Sequence, residues 1–188
     1  MSGWIIAAVL VAIALYIVFV FNRLIRLRNL AREGWSGIDV QLKRRSDLVP
    51  NLVETVKGYA AHERGVLEEV TASRQSSMAA ADVAGRASAE QALQGALGRL
   101  FAVAEAYPQL KADQNFLALQ KQLAEIEDQL QMARRYYNGT VRNLNIGIQS
   151  FPENLVAGVL GFREMSFFQL DDRTEAATPS VAFQPSKP

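Results

Sequence analysis

Cysteine is absent and histidine occurs once, as His62, in a chain of 188 residues. Those two shortages exclude disulfides, thiolate catalysis, cysteine metal sites and any centre that needs two imidazoles. An excess of charge of one sign is also lacking. Twenty basic residues face 19 acidic ones, so no broad field directs the chain to nucleic acid or to an acidic substrate. Strand-like alternation is missing throughout. No GxxxxGK[ST] loop is present to cradle a phosphate, and a single histidine leaves little from which to build a Ser-His-Asp set. The His62-Glu63 pair would need a second histidine at position 66 to match a zinc-protease helix, and position 66 is Val. An inter-helix hydrogen bond is therefore the expectation for His62. No catalytic residue, metal or cofactor is expected, and the chain does not read as an enzyme.

What is present first is a long apolar run. The first 22 residues carry no charged side chain, and 18 of them, residues 4–21, are continuously apolar (WIIAAVLVAIALYIVFVF). At ~1.5 Å per residue such a run reaches roughly 27 Å as a helix, close to the hydrocarbon thickness of a bilayer. A secretory signal would carry a basic residue before its core and a small-residue cleavage site after it. Only Met1, Ser2 and Gly3 precede this core, and Phe21-Asn22-Arg23 follows it, so an uncleaved anchor is expected over residues 1–22. Arg23, Arg26, Arg28 and Arg32 come next, in a basic segment of residues 23–34. Basic residues flanking a span face the cytoplasm, which places the N-terminus outside and the remainder inside. The same arginines read as a stop-transfer signal, with contact to anionic lipid as the alternative. Gly3 with Ala7, and Ala8 with Ala12, have the small-residue spacing that permits close helix–helix approach and self-association.

Beyond the anchor the period is helical. One stripe runs Trp35, Ile38, Leu42, Val49, Leu52, Val56, Tyr59, Val66 and Val70. Pro50 predicts a kink or short break near Val49, because proline removes a backbone donor and crowds the preceding turn. Asp39 and Lys43 are set as an i,i+4 pair. The helix is expected to fade over residues 76–85 and to restart at Ser88, where Gln91 completes a capping-box pattern. That helix carries Ala89, Leu93, Leu97, Leu100, Ala104 and Tyr107, and Pro108 ends it. Asp113 caps a third helix, residues 114–150, of ~55 Å. Pro152 breaks it, and residues 153–168 predict a short apolar helix or hook folded back on the body. Residues 35–76 and 114–150 have similar lengths, which predicts two long rods side by side with the shorter helix between them. The fold class is all-α: an N-terminal transmembrane helix, then an antiparallel bundle of long helices over residues 35–170. Residues 171–188, polar and with three prolines, read as a disordered tail.

Polar residues on these stripes are the candidate inter-helix or inter-subunit contacts: Trp35, Arg45, Pro50, His62, Glu63, Arg134, Arg135, Tyr137 and Asn138. Arg45 and Glu63 fall on the apolar stripe, where a charge must be paired, solvated or at an interface. Eighteen residues separate them, about 27 Å along a helix, so they cannot meet within one chain. At least one is expected to meet a charge on the 114–150 helix, from Arg134, Arg135, Glu125 or Glu127. Removing Glu63 is expected to cost several kcal/mol, as loss of a buried partner does. Consecutive residues 134–138 point in different directions on a helix, so this Arg-Arg-Tyr-Tyr-Asn cluster predicts bundle hydrogen bonds rather than a nucleic-acid surface. Asn138-Gly139-Thr140 matches a glycosylation sequon, but in a cytoplasmic helix it would stay unmodified.

Two blocks, WSGIDVQLKRRSDLVPNLVETVKGYAAHERGVLEEVTASR (35–74) and ARRYYNGTVRNLNIGIQSFPENLVAGVLGF (133–162), behind one N-terminal anchor, resemble the bacterial LemA family. The resemblance covers nearly all of residues 1–170, while 79–107 and the tail match only in character. It implies a small inner-membrane protein with an extracytoplasmic N-terminus and a cytoplasmic domain of long helices. No enzymatic activity is established for the family, so no catalytic residue carries over. The family name comes from a two-component signalling system, but no kinase or receiver motif occurs here. The link of relatives to membrane-bound assemblies implies a scaffold. Its partners would be the lipid bilayer, further copies of the chain or a membrane protein. A regulatory adaptor for a membrane protease or sensor is the alternative.

Overall fold

The computed structural model describes residues 2–169; the expected tail, 171–188, lies outside the described residues. Six helices follow in order: α1 (Ser2–Tyr59), α2 (Arg64–Ala79), α3 (Val83–Ala104), α4 (Pro108–Lys111), α5 (Gln114–Gln149) and α6 (Glu153–Val159). No strand occurs among the described residues. The 58 residues of α1 join the apolar run to the bundle without interruption. Its apolar side chains are exposed on all sides up to Phe19, and burial begins at Val20 and Leu24. Among the described residues α1 alone is long and apolar enough to cross a membrane.

The expected break at Pro50 does not form; α1 runs on to Tyr59. Proline at 50 leaves the Ser46 carbonyl without its usual intrahelical donor. The Arg74 side chain of α2 supplies a replacement, its Nε donating to Ser46 O at 2.7 Å. The chain reverses instead at residues 60–63, between Gly58 and Gly65, which weaken helix locally. There Glu63 N–H bonds to Ala60 O at 3.1 Å, and α2 returns antiparallel along α1. Leu67 and Val70 then join Val49, Leu52 and Val56 in one core.

The shorter helix also starts earlier than the capping-box pattern at Ser88 predicts. Asp82 is the cap, its side chain accepting from Gly85 N at 2.8 Å, and Ser88 lies inside α3. Nor does α3 lie between the rods. The pairings are α1 with α5 and α2 with α3, and α1 with α2 closes an up-down-up-down arrangement. Helix α5 matches its expected limits, capped by Asp113, whose carboxylate accepts from Phe116 N at 2.9 Å.

Three cores are strung along this rod. The distal one, to which α1 to α5 all contribute, surrounds Leu52, Leu93, Leu100 and Phe116. The middle one joins Ala31, Ile38 and Leu42 of α1 to Leu130, Tyr137 and Val141 of α5, with Phe168 returning onto them. The third, at the end of the apolar run, holds Val20 and Leu24 against Ala157 and Phe162. Between them α1 and α5 approach closely at Gly34: a Cβ there would sit 3.0 Å from Tyr137 Cα. Burial of each large aliphatic side chain contributes roughly 1.5–3 kcal/mol before chain entropy offsets most of the sum.

Candidate functional site

Two polar constellations are built into the rod. The first crosses four helices. Arg45 of α1, 3% exposed, donates from Nη1 to Glu127 of α5 at 3.0 Å and from Nη2 to Glu90 of α3. Glu90 is itself 1% exposed and also accepts from the Ser77 hydroxyl of α2. Arg86 Nε lies 3.6 Å from Glu90, and the far end of its guanidinium reaches Asp39 at 3.4 Å. Every helix of the bundle thus places at least one polar group at this level. Asp39 is engaged by Arg86, and Lys43 pairs with Asp47 at 3.0 Å, so the expected Asp39–Lys43 pair does not form. Arg134 stands close by. Its pKa is lowered, first by burial and then by the field of Arg45, against an opposing pull from Glu127.

Arg45 therefore does find a charge on α5, as its place on the stripe requires. Glu63 does not. It sits in the 60–63 turn, partly exposed, and accepts from the Tyr107 hydroxyl at 3.3 Å. One such bond is worth about 1 kcal/mol, not the several expected for a buried charge. Its neighbour raises the Tyr107 pKa, although burial of the phenol contributes more. His62 is exposed in the same turn, and no inter-helix hydrogen bond to it forms among the described residues. Glu90 escaped the sequence reading. Its signal was its spacing: Glu90, Leu93, Leu97, Leu100 and Ala104 follow intervals of three and four, so a carboxylate lies on the apolar seam of an Ala-rich helix.

The second constellation is a clasp. Asn138 donates Nδ2 to Phe168 O at 3.1 Å and accepts from Phe168 N at 2.9 Å. Asn145 treats Met165 in the same way, with both bonds at 3.0 Å. Seven residues of helix advance about 10.5 Å, and three residues of extended chain advance about 10 Å. The two carboxamides therefore match an extended strap and pair with its backbone as a neighbouring strand would. Tyr137, fully buried, donates its hydroxyl to Ser166 O at 2.8 Å between them, and its pKa is raised by burial. Trp35 packs on Tyr137 and Phe168 at 5.6 and 5.7 Å between ring centres, and the Arg134 guanidinium lies 5.8 Å from the Phe168 ring centre. Arg135 is exposed and takes no part.

The juxtamembrane arginines divide. Arg23 pairs with Glu153 of α6, and Arg28 lies over the Phe162 ring at 5.2 Å. Arg26 and Arg32 are exposed. No group of three or more His, Asp or Glu side chains that could hold a metal ion occurs among the described residues. A surface groove between α1 and α2 is lined by Val53, Lys57, Arg64, Leu67, Glu68 and Thr71, with its charges on opposite rims.

Comparison with known proteins places these features. A model of the LemA family matches residues 34–183. The magnetosome protein MamQ of Magnetospirillum gryphiswaldense is 24% identical over 201 aligned residues, covering 93% of this chain and 73% of its own length. Magnetosome protein MamQ 2 of Paramagnetospirillum magneticum is 25% identical over 190 residues, 87% of this chain and 69% of that protein. Protein LemA of Metamycoplasma hominis is 28% identical over 156 residues, 80% of this chain and 69% of that protein.

Proposed function

The chain belongs to the LemA family, and from that membership we propose a non-enzymatic, membrane-tethered scaffold. The apolar run of α1 holds it in the cytoplasmic membrane of a bacterium, N-terminus outside, and the helical rod stands on the cytoplasmic face. There it assembles with copies of itself or organises a membrane-associated complex. One observation carries the reading: polar side chains at two levels of the rod join helix to helix and strap to helix. Arg45, Glu90, Glu127, Ser77, Asn138 and Asn145 are each engaged inside the rod. Such groups fix register and shape, which a scaffold needs, at some expense in stability. The similarity to proteins named for the magnetosome supports a place in a membrane-bound assembly.

The test is the assembly state in lipid. Full-length protein reconstituted in phospholipid nanodiscs and cross-linked at increasing protein-to-lipid ratio is expected to give discrete multimers, or one stoichiometric membrane partner when extracted from its host. A strict monomer in both settings refutes the scaffold. Reporter fusions at each end check the orientation: a C-terminal fusion active only outside the cytoplasm overturns it.

A further inference from the structure

The hook that closes the chain onto α1 has two unlike faces. Ala157 is buried against Val20 and Leu24, and Phe162 meets Phe21 edge-on with ring centres 6.0 Å apart. The opposite side is bare. Phe151 is 80% exposed, Leu155 62% and Val159 88%, and Leu160 beside them is 44% exposed. Leu155 and Val159 are four residues apart in α6, the spacing that keeps side chains on one side of a helix, and Phe151 stands exposed in the turn before it. The run from Asn154 to Phe162 (NLVAGVLGF) holds no charged residue.

The turn that ends the hook is well specified. Phe162 N–H reaches Ala157 O at 3.0 Å and Gly161 N–H reaches Gly158 O at 3.3 Å. Gly161 adopts a φ of 71°, a left-handed conformation that favours glycine. The two hydrogen bonds, the glycine and the contact of Phe162 with Ala157 form a Schellman closure, so the apolar face is held in place rather than hung on a loose loop.

Its level along α1 decides what it meets. The hook touches Val20, Phe21 and Leu24, where the apolar run of residues 4–21 gives way to the arginines. Arg23 ties down Glu153 at the start of α6, and Arg28 covers Phe162. Exposed Arg26, Arg32 and Arg163 collar the same end of the rod. Apolar side chains beside a membrane span, ringed by cations, have the chemistry of an interfacial wedge.

We propose that Phe151, Leu155, Val159 and Leu160 insert among the lipid acyl chains of the leaflet in which the apolar run of α1 ends, giving the protein a second membrane contact beside its anchor. The proposal rests on the anchoring of α1, and the observation that commits it to lipid is the continuity of this face with the end of the span.

The absence of cysteine makes a clean test possible. Single-cysteine variants V159C, I13C and A106C of the full chain are labelled with a bimane fluorophore. They are reconstituted in phosphatidylethanolamine–phosphatidylglycerol vesicles carrying lipids spin-labelled near the glycerol or near the methyl end. Val159 is 88% exposed, so its replacement leaves the fold intact. Ala106 lies in the turn at the distal end and reports water, while Ile13 reports mid-span. The expected result is several-fold stronger quenching at V159C than at A106C, greatest with the shallow label. Equal, weak quenching at V159C and A106C with strong quenching at I13C overturns the wedge and leaves the anchor standing. Weak quenching at all three overturns the anchoring reading itself. Oxidative cross-linking of unlabelled V159C to its own copy, with no quenching of the labelled variant, overturns the wedge in favour of a contact between copies.

Discussion

Replacing Glu90 by Ala should destabilise the rod more than any single change on its surface. The carboxylate is 1% exposed and Arg45 3%. Its removal leaves the guanidinium in the interior with Glu127 alone, and leaves Ser77 without its acceptor. Breaking a buried pair from one side costs about 3–5 kcal/mol, because the stranded charge keeps its desolvation penalty. Near 3 °C per kcal/mol for a chain of this size, Tm should fall by about 10–15 °C. Glu127 is 27% exposed and water can take its place. Glu127→Ala should therefore cost only about 1–2 kcal/mol. Arg45→Ala strands Glu90 with Ser77 and an Arg86 Nε at 3.6 Å, and belongs with Glu90→Ala or above it. The double replacement Arg45→Met with Glu90→Leu removes both charges at once and should recover most of the loss, since apolar packing serves as well as a buried ion pair. Thermal melts of full-length protein in detergent, followed by circular dichroism, give all four values. If Glu90→Ala melts within about 2 °C of the native chain, or the double variant falls as far as the two single ones added together, the network does not hold the helices as described.

Three further outcomes follow from contacts already described. Arg74→Met should lower stability by about 1–2 kcal/mol, because the Ser46 carbonyl loses its donor; in a Pro50→Ala background the same change should cost much less, since residue 50 then supplies the N–H, and a double-mutant cycle by denaturant melts measures the difference. Asn145→Leu should cost about 1–3 kcal/mol and strip hydrogen-exchange protection from the Met165 amide while sparing the Leu93 amide, read by mass spectrometry or NMR. Asp113 is held below its ordinary value of 3.8, chiefly by the Phe116 N–H and then by the Tyr59 hydroxyl. A carboxyl so depressed adds stability that is complete above 3.8 and is lost as pH falls through the lower, folded value. Asp113→Asn keeps the cap, so it should flatten that acid limb of the Tm–pH curve, and an unchanged curve would show that other carboxylates dominate it.

Local chemistry made some of this legible and tertiary contacts hid the rest. The span, the all-helical class and the limits of α5 could be read because their signals lie within a few residues: an apolar run, an Asp cap, a proline after the last turn. Pro50 misleads because its remedy comes from Arg74, on another helix. Ser88 carries a capping pattern but loses to Asp82, whose own carboxylate takes the Gly85 N–H and starts the helix six residues sooner. Arg45 was legible as a charge on an apolar seam. Its principal partner was not, because the seam of α3 was traced through apolar residues and passed over Glu90. Asn138 was legible as a candidate inter-helix contact, and so was the return of residues 153–168 onto the body; Asn145 and the pairing of both carboxamides with the strap backbone were not, because an extended segment without periodicity leaves no mark of its register. Gly34 was silent for the same reason: a glycine within a helix reads as a weakness until the neighbouring backbone is seen 3.0 Å from where its side chain would be.

The single helix from Ser2 to Tyr59 has no joint where its apolar run gives way to the arginines. Its portion beyond residue 21 extends about 57 Å. A rigid arm of that length swings its far tip by about 10 Å for a 10° change in the tilt of its root, well within the range that spans adopt as bilayer thickness varies. With its apolar run held in a bilayer, as proposed, the chain would turn each change of tilt at the root into sideways travel of the distal bundle.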